Sequence, residues 1–150
     1  YISPPTTVTT LKKRKRVASP KDLNTLIVDD SVVSCRMLMR QCKDLGIEKC
    51  QTSHKGEKAL VLYQNMRPFH LIFMDLNLGD GISGLDTIQK IREMKNDQPV
   101  IISISGNILS ETELNNANID GILSKPLSRT QLKSVLDEHF EFNSLRVPPA

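Results

Sequence analysis

His70-Leu71-Ile72-Phe73-Met74-Asp75 is the stretch that decides the fold. Four consecutive apolar residues cannot alternate between a core and solvent, so they read as a strand buried on both faces, as in parallel sheets covered by helices on either side. Asp75 then stands at the carboxyl end of that strand. In open α/β sheets this is the edge where loops converge and ligands bind. Other apolar runs end in the same way. Thr25 to Val28 runs into Asp29 and Asp30, Val100 to Ile104 into Ser105, and Gly121 to Ser124 into Lys125 and Pro126. Three carboxylates, a hydroxyl and an amine at successive strand ends read as a site.

Around this centre the chain alternates strand and helix. A first strand, Leu23 to Val28, is followed by a helix from about Val32 to Leu45, on which Val32, Cys35, Met39 and Cys42 form an apolar stripe, and which Gly46 closes. A second strand falls within Glu48 to Ser53. The next helix, from about Gly56 to Met66, carries Ala59, Leu62 and Met66 on one side, and Pro68 breaks the chain before the central strand. After Asp75 comes a loop with three glycines, then a helix bearing Leu85, Ile88 and Ile91. Pro99 opens the fourth strand, Ser110-x-x-Glu113 is a capping box for a short helix, and Gly121 starts the fifth strand. The last helix, about Ser128 to Phe140, places Leu132, Val135, Leu136 and Phe140 at helical spacing. Five such alternations with short connections predict an α/β fold: a parallel five-stranded sheet, right-handed crossovers and helices on both faces.

Composition bounds the rest. At 150 residues the chain is long enough for one domain with a real core and no need of disulfides. No run approaches the ~18 apolar residues of a membrane span. Cys35, Cys42 and Cys50 show no zinc spacing, and an odd count suits free thiols in a reducing cytoplasm or nucleus. The net charge of +3 is unevenly placed: six of the 20 basic residues and no acidic one lie in residues 1–21, which leaves 14 basic against 17 acidic in the remainder. The body is thus acidic, so a nucleic-acid role for the folded part has little support. The expected layout is a flexible basic arm over residues 1–21, a folded domain over 22–141 and a loose tail over 142–150. Lys12 to Arg16 within the arm fits either a nuclear-localisation or polyanion-binding cluster, or a solvated linker.

The joint pattern of strand-end residues resembles the receiver domain of two-component response regulators, over about Leu23 to Phe140. Leu26-Ile27-Val28-Asp29-Asp30-Ser31, Leu71-Ile72-Phe73-Met74-Asp75 and Leu123-Ser124-Lys125-Pro126-Leu127 are similar to its three signature blocks. The resemblance implies a flavodoxin-like strand order of 2-1-3-4-5 with five helices. It also implies that Asp75 accepts a phosphoryl group from a phosphohistidine, on a histidine phosphotransfer protein or histidine kinase, in a phosphorelay. By the same pattern Asp29, Asp30 and Asp75 supply carboxylates to a metal, Asn77 its backbone carbonyl, and Lys125 and Ser105 contact phosphoryl oxygens. Packed carboxylates need a cation or a proton, and Mg²⁺, which takes oxygen ligands and bridges to phosphate, fits that need.

Three features depart from the family or compete with it. The loop between Asp75 and Gly84 is one residue longer than the common spacing, with Gly79 where Pro is usual. Ile122 stands where many members carry a switching Tyr or Phe. Asp75, Asn77 and Asp86 also match positions 1, 3 and 12 of a calcium-binding EF-hand loop, but Asp80 replaces its required glycine and a strand precedes it. An alternative function is a binding module that signals without phosphate; retention of Asp29, Asp30, Asp75, Ser105 and Lys125 speaks for the phosphoacceptor.

Overall fold

The computed structural model describes residues 15–66, 68–95, 97–106 and 111–142. Seven strands and five α-helices follow in order: β1 (Arg16–Ala18), β2 (Asn24–Val28), α1 (Val32–Asp44), β3 (Lys49–Ser53), α2 (Gly56–Asn65), β4 (Leu71–Asp75), α3 (Gly84–Glu93), β5 (Val100–Ser105), α4 (Glu111–Ala117), β6 (Gly121–Ser124), α5 (Arg129–His139) and β7 (Phe140–Phe142). Five strands form one parallel sheet in the order β3-β2-β4-β5-β6, which is the flavodoxin-like order expected for the five main strands.

β4 lies at the centre, and all five of its residues are buried. Its side chains alternate between two cores. Leu71 and Phe73 join Ile27, Leu38 and Leu132 beneath α1 and α5, while Ile72 and Met74 join Leu26, Tyr63 and Ile88 beneath α2 and α3. This is why the apolar run is continuous rather than alternating. His70 fixes the register at the amino end: the Asn24 amide donates to His70 Nδ1 at 2.9 Å and the His70 amide to the Asn24 carbonyl at 2.8 Å. Burial lowers the His70 pKa, and the charges of Arg16 and Lys49 add to this.

Two helix faces, those of α1 and α2, differ from the periodicity. On α1 the buried set is Cys35, Leu38 and Cys42, with Met39 partly buried; Val32 is 48% exposed. Val32 opens the helix, where it projects past the end of the sheet, and Leu38 takes its place. On α2 Tyr63 is buried and Met66, at the cap, is exposed. On α3 Ile88 and Ile91 are buried as expected, together with Thr87. The α5 stripe of Leu132, Val135, Leu136 and Phe140 is buried throughout. Phe140, however, begins β7.

β1 and β7 pair in parallel, Arg16 with Phe140 and Ala18 with Phe142. The end of the expected arm is therefore fastened to the domain, and Phe142, expected in the loose tail, belongs to the ladder. Arg16 also donates to the Gln98 carbonyl at 2.8 Å. Lys12 to Arg14 and the Ser110 cap lie outside the described residues. No described helix is long and apolar enough to cross a membrane.

Candidate functional site

Parallel strands of unequal length deliver their last residues to one edge. β2 ends at Val28, so Asp29 and Asp30 follow at the edge; β4 ends in Asp75 itself; β5 ends in Ser105, which pairs with Ser124 of β6 just before Lys125. Asp29 and Asp75 are 2% and 4% exposed, Asp30 is exposed, and one carboxylate oxygen from each lies within 4.8 Å of the others. Lys125 reaches across to them, its Nζ 2.9 Å from Asp75 Oδ2 and 3.3 Å from Asp29 Oδ2. The Lys125-Pro126 peptide is cis, and the Lys125 amide donates to the Ser105 carbonyl at 3.1 Å.

Local hydrogen bonds hold each acid. The Ser31 amide donates to Asp29 Oδ1 and the Asn77 amide to Asp75 Oδ1, both at 2.9 Å. Ser31 also caps α1 through its hydroxyl, which accepts from the Ser34 amide, so one residue both starts the helix and steadies the acidic pair. Gly84 packs so closely on the end of β4 that any Cβ there would collide with the Asp75 carbonyl oxygen. Gly79 has φ +72°, a left-handed conformation that favours glycine, and faces Asp30 Oδ2.

The electrostatics follow from burial without enough cation. Desolvation raises the Asp29 pKa and the charge of Asp75 adds to this, while the Ser31 amide and Lys125 oppose it. Burial alone would lower the Lys125 pKa, but the hydrogen bond to Asp75 and the charges of Asp29 and Asp75 raise it on balance, so the amine is held as a cation. Three carboxylates against one ammonium leave an excess of negative charge in a site made of hard oxygen donors. That chemistry fits a hard divalent cation.

The structure brings Asp29, Asp30, Asp75 and Lys125 together. Ser105 stands on the adjoining strand end, half-buried, and Asn77 is exposed on the loop with its amide turned to Asp75. Two contacts were missed from sequence. His54 Nδ1 donates to the Asp29 carbonyl at 2.9 Å, and the Cys35 thiol donates to the same oxygen at 3.4 Å. Burial pushes that thiol up to about 11, with the Asp29 charge contributing. His54 directly follows β3, so the strand-end logic applied to Asp75 would have found it. β3 is too polar to be delimited that sharply from sequence. Glu57 was also missed: its Oε2 accepts from the Ile82 amide at 2.9 Å and so ties the Asn77 loop to α2.

Known proteins agree with this geometry. Residues 25–137 match the response regulator receiver domain family, and the chain belongs to that family. It is similar to chemotaxis protein CheY-3 of Vibrio cholerae, with 29% identity over 81% of this chain and 94% of that protein. Among solved structures it is similar to a Burkholderia pseudomallei response regulator with a phosphorylated aspartic acid, calcium ion and citrate: 26% identity, TM-score 0.66, covering 77% of this chain and 66% of that one. The receiver domain of yeast Ssk1, solved in complex with the histidine phosphotransfer protein Ypd1, shares the fold at 22% identity and TM-score 0.69, covering 81% of this chain and 90% of that one. The chain is thus a receiver of the two-component signalling class.

Proposed function

We propose that Asp75 is the phosphoacceptor of a phosphorelay, taking a phosphoryl group from a phosphohistidine of a partner, with Mg²⁺ at the neighbouring carboxylates. The single observation behind this is the contact of Lys125 with two buried carboxylates at the carboxyl edge of the sheet. A structural ion pair needs one carboxylate. Two buried carboxylates, with a third exposed beside them, make a site whose charge is completed only by a ligand.

Asp29, Asp30, Asp75 and the Asn77 carbonyl would hold the metal, which when bound would neutralise charge at the carboxylates and at phosphoryl oxygens. The other tasks fall to the chain itself. The Asp75 carboxylate attacks phosphorus; the new P–O bond forms as the P–N bond to the partner's imidazole breaks, and the ring nitrogen keeps the electron pair. Asn77 N–H and the end of β4 fix the direction of attack, which is most of what such a reaction requires. Lys125, released from Asp75 Oδ2, follows the transferred group as a point charge, and the Ser105 hydroxyl donates to another of its oxygens.

The partner docks over this edge. The Burkholderia regulator carries phosphate on an aspartate, and the yeast receiver of the same fold is solved in complex with a phosphotransfer protein; for this chain the proposed anchor is the exposed apolar start of α1. Val32, Val33 and Met37 are 48%, 65% and 54% exposed, directly after the acidic pair. Leu38, apolar and on the same helix, is 1% exposed and belongs to the core.

Incubation with acetyl phosphate and Mg²⁺, followed by intact-mass spectrometry, tests the reading. The wild type should gain one hydroxylamine-labile phosphoryl group, as an acyl phosphate requires, and Asp75→Asn none. A wild type that gains none would favour the phosphate-independent binding module; a phosphorylated Asp75→Asn would move the acceptor elsewhere.

A further inference from the structure

Where β3 gives way to α2, Ser53 to Glu57 run beside the acidic edge without joining the cluster of Asp29, Asp30 and Asp75. They touch both loops that carry the cluster's residues. On one side they grip the backbone of Asp29: its amide donates to the Ser53 carbonyl at 3.0 Å, and its carbonyl accepts from His54 Nδ1 at 2.9 Å. On the other, Glu57 Oε2 accepts from the Ile82 amide at 2.9 Å, in the loop that runs from Asp75 through Asn77 to α3.

That loop has little stiffness of its own. Gly79 and Gly81 stand at φ +72° and +92°, and glycine loses more conformational freedom than any other residue when it is fixed. The Gly84 amide closes the base of the loop on the Leu76 carbonyl at 3.2 Å, while the Gly79 amide makes only a long bond, 3.4 Å, to Asn77 Oδ1. Among the described residues, the bond from Ile82 to Glu57 is the hydrogen bond that ties residues 79–82 to another element. The sequence prepares this contact twice. Gly56 brings α2 in so closely that a Cβ there would collide with the Ile82 and Thr87 side chains, and Gly81 leaves the space that the Glu57 carboxylate fills, since a Cβ there would lie 2.6 Å from Oε2. Hydrogen bonds from the Glu57 and Ile82 amides lower the carboxyl's pKa, so it accepts as an anion.

We propose that Glu57 is a positioning residue that sets which divalent cation the site prefers. Through the Ile82 amide it holds the Asn77 loop in a fixed place relative to Asp29, and so favours Mg²⁺ over Ca²⁺. The inference rests on the reading of Asp29, Asp30, Asp75 and the Asn77 carbonyl as the metal ligands. Mg²⁺ demands short bonds in near-ideal octahedral geometry, whereas Ca²⁺ tolerates more oxygens at longer and more variable distances. A loop free to shift therefore costs Mg²⁺ more than Ca²⁺. The charge of Glu57 acts alike on two ions of equal charge, so the ratio of the two affinities isolates the positional effect.

The full chain, stripped with EDTA and dialysed, is titrated with MgCl₂ and separately with CaCl₂ while its amide NMR signals are followed, with no phosphodonor present. Glu57→Ala should lose about tenfold in Mg²⁺ affinity, the low end of what the partners that orient metal ligands contribute, and several-fold less in Ca²⁺ affinity. Glu57→Gln keeps an oxygen for the Ile82 amide and should keep the wild-type ratio, whether or not both affinities fall together. In the metal-free proteins, hydrogen exchange at the Ile82 amide should quicken in Glu57→Ala and stay slow in Glu57→Gln. Equal losses for both ions in Glu57→Ala, a ratio in Glu57→Gln that shifts as far as in Glu57→Ala, or unchanged Ile82 exchange in Glu57→Ala would overturn this assignment and leave the metal site standing. A wild type that binds neither ion would overturn the metal reading, and the role of Glu57 with it.

Discussion

Replacing Asp29 by Asn should make the metal-free protein more stable at neutral pH, although it removes one arm of an ion pair. The acidic oxygens of the cluster lie within 4.8 Å of one another, where two unit charges repel by about 3.5 kcal/mol at an effective dielectric of about 20. Asp29 bears this from Asp75 and, screened by solvent, from Asp30. Lys125 at 3.3 Å returns about 5 kcal/mol on the same scale, a figure its one-third exposure reduces. The charges thus nearly cancel or fall slightly against Asp29, and the cost of burying it decides the sign. Asn keeps an oxygen for the Ser31 amide, and Lys125 keeps Asp75.

The expected gain is on the order of 1 kcal/mol, or about 3–6 °C in Tm for a domain of this size. The pH dependence follows from the raised Asp29 pKa. Between its unfolded value, 3.8, and its higher folded one the native state binds more protons, so wild-type stability falls as pH rises through that window and the penalty is complete above it. The advantage of Asn is therefore full above the raised folded value and fades as pH falls through it toward 3.8. Mg²⁺ should reverse the ranking, since a ligand of the native state stabilises by about 2.7 kcal/mol at one hundred times its Kd, and the variant has lost a ligand. Calorimetry at pH 7 and pH 4, in EDTA and in a Mg²⁺ series, reads all of this. An Asp29→Asn protein that melts below wild type in EDTA at pH 7 would show that the Lys125 pair outweighs desolvation and repulsion.

Deleting residues 1–14 should leave folding and Asp75 phosphorylation unchanged, whereas deleting 1–19 removes β1 from Phe140–Phe142 and should lower Tm; equal melting curves would show that the ladder contributes nothing. Val33→Asp should weaken phosphotransfer from a histidine phosphotransfer protein while leaving acetyl phosphate labelling intact, and Leu38→Ala should instead cost about 2–5 kcal/mol of stability as a cavity in the core; equal loss by both routes in Val33→Asp would place that residue outside the interface. His70 has a lowered folded pKa, so its contribution is present above its ordinary value near 6.5 and is lost as pH falls through the window below it. His70→Asn should flatten that part of the stability profile in urea titrations, and an unchanged slope would assign the proton uptake to other groups.

What could be read from sequence depended on how local its cause was. The central strand was legible because burial on both faces leaves an uninterrupted apolar run, and the site because Asp29, Asp75 and Lys125 each follow such a run directly. α5 was legible because both ends of its stripe lie over the sheet. α1 was not, because a period of three or four residues fixes a face only up to rotation: Val32 and Leu38 are both apolar near that face, and what separates them is where the sheet ends beneath the helix. β3 carries a lysine, a glutamine and a threonine in its five residues, with only Ser53 fully buried. Edge position and a solvated face remove the apolar signature there, and with its end blurred His54 went unnoticed.

The β1–β7 ladder had no local signal at all. Arg16-Val17-Ala18 is too short to alternate, Val17 is 63% exposed, and its partner lies over a hundred residues away in sequence. The pairing exists because α5 returns the chain to the amino end of the sheet, where Phe140 enters the core and Phe142 stacks on it at 5.8 Å. A composition rich in Thr, Pro and basic residues predicts a flexible arm over residues 1–21, and such composition says nothing against pairing of a three-residue edge strand, since the ladder uses backbone groups and leaves the side chains in water. The fastening has a directional consequence. Arg16 is held at the amino end of the sheet, opposite the edge that carries Asp75, and β1 is tied through Phe140 to the helix that follows Lys125.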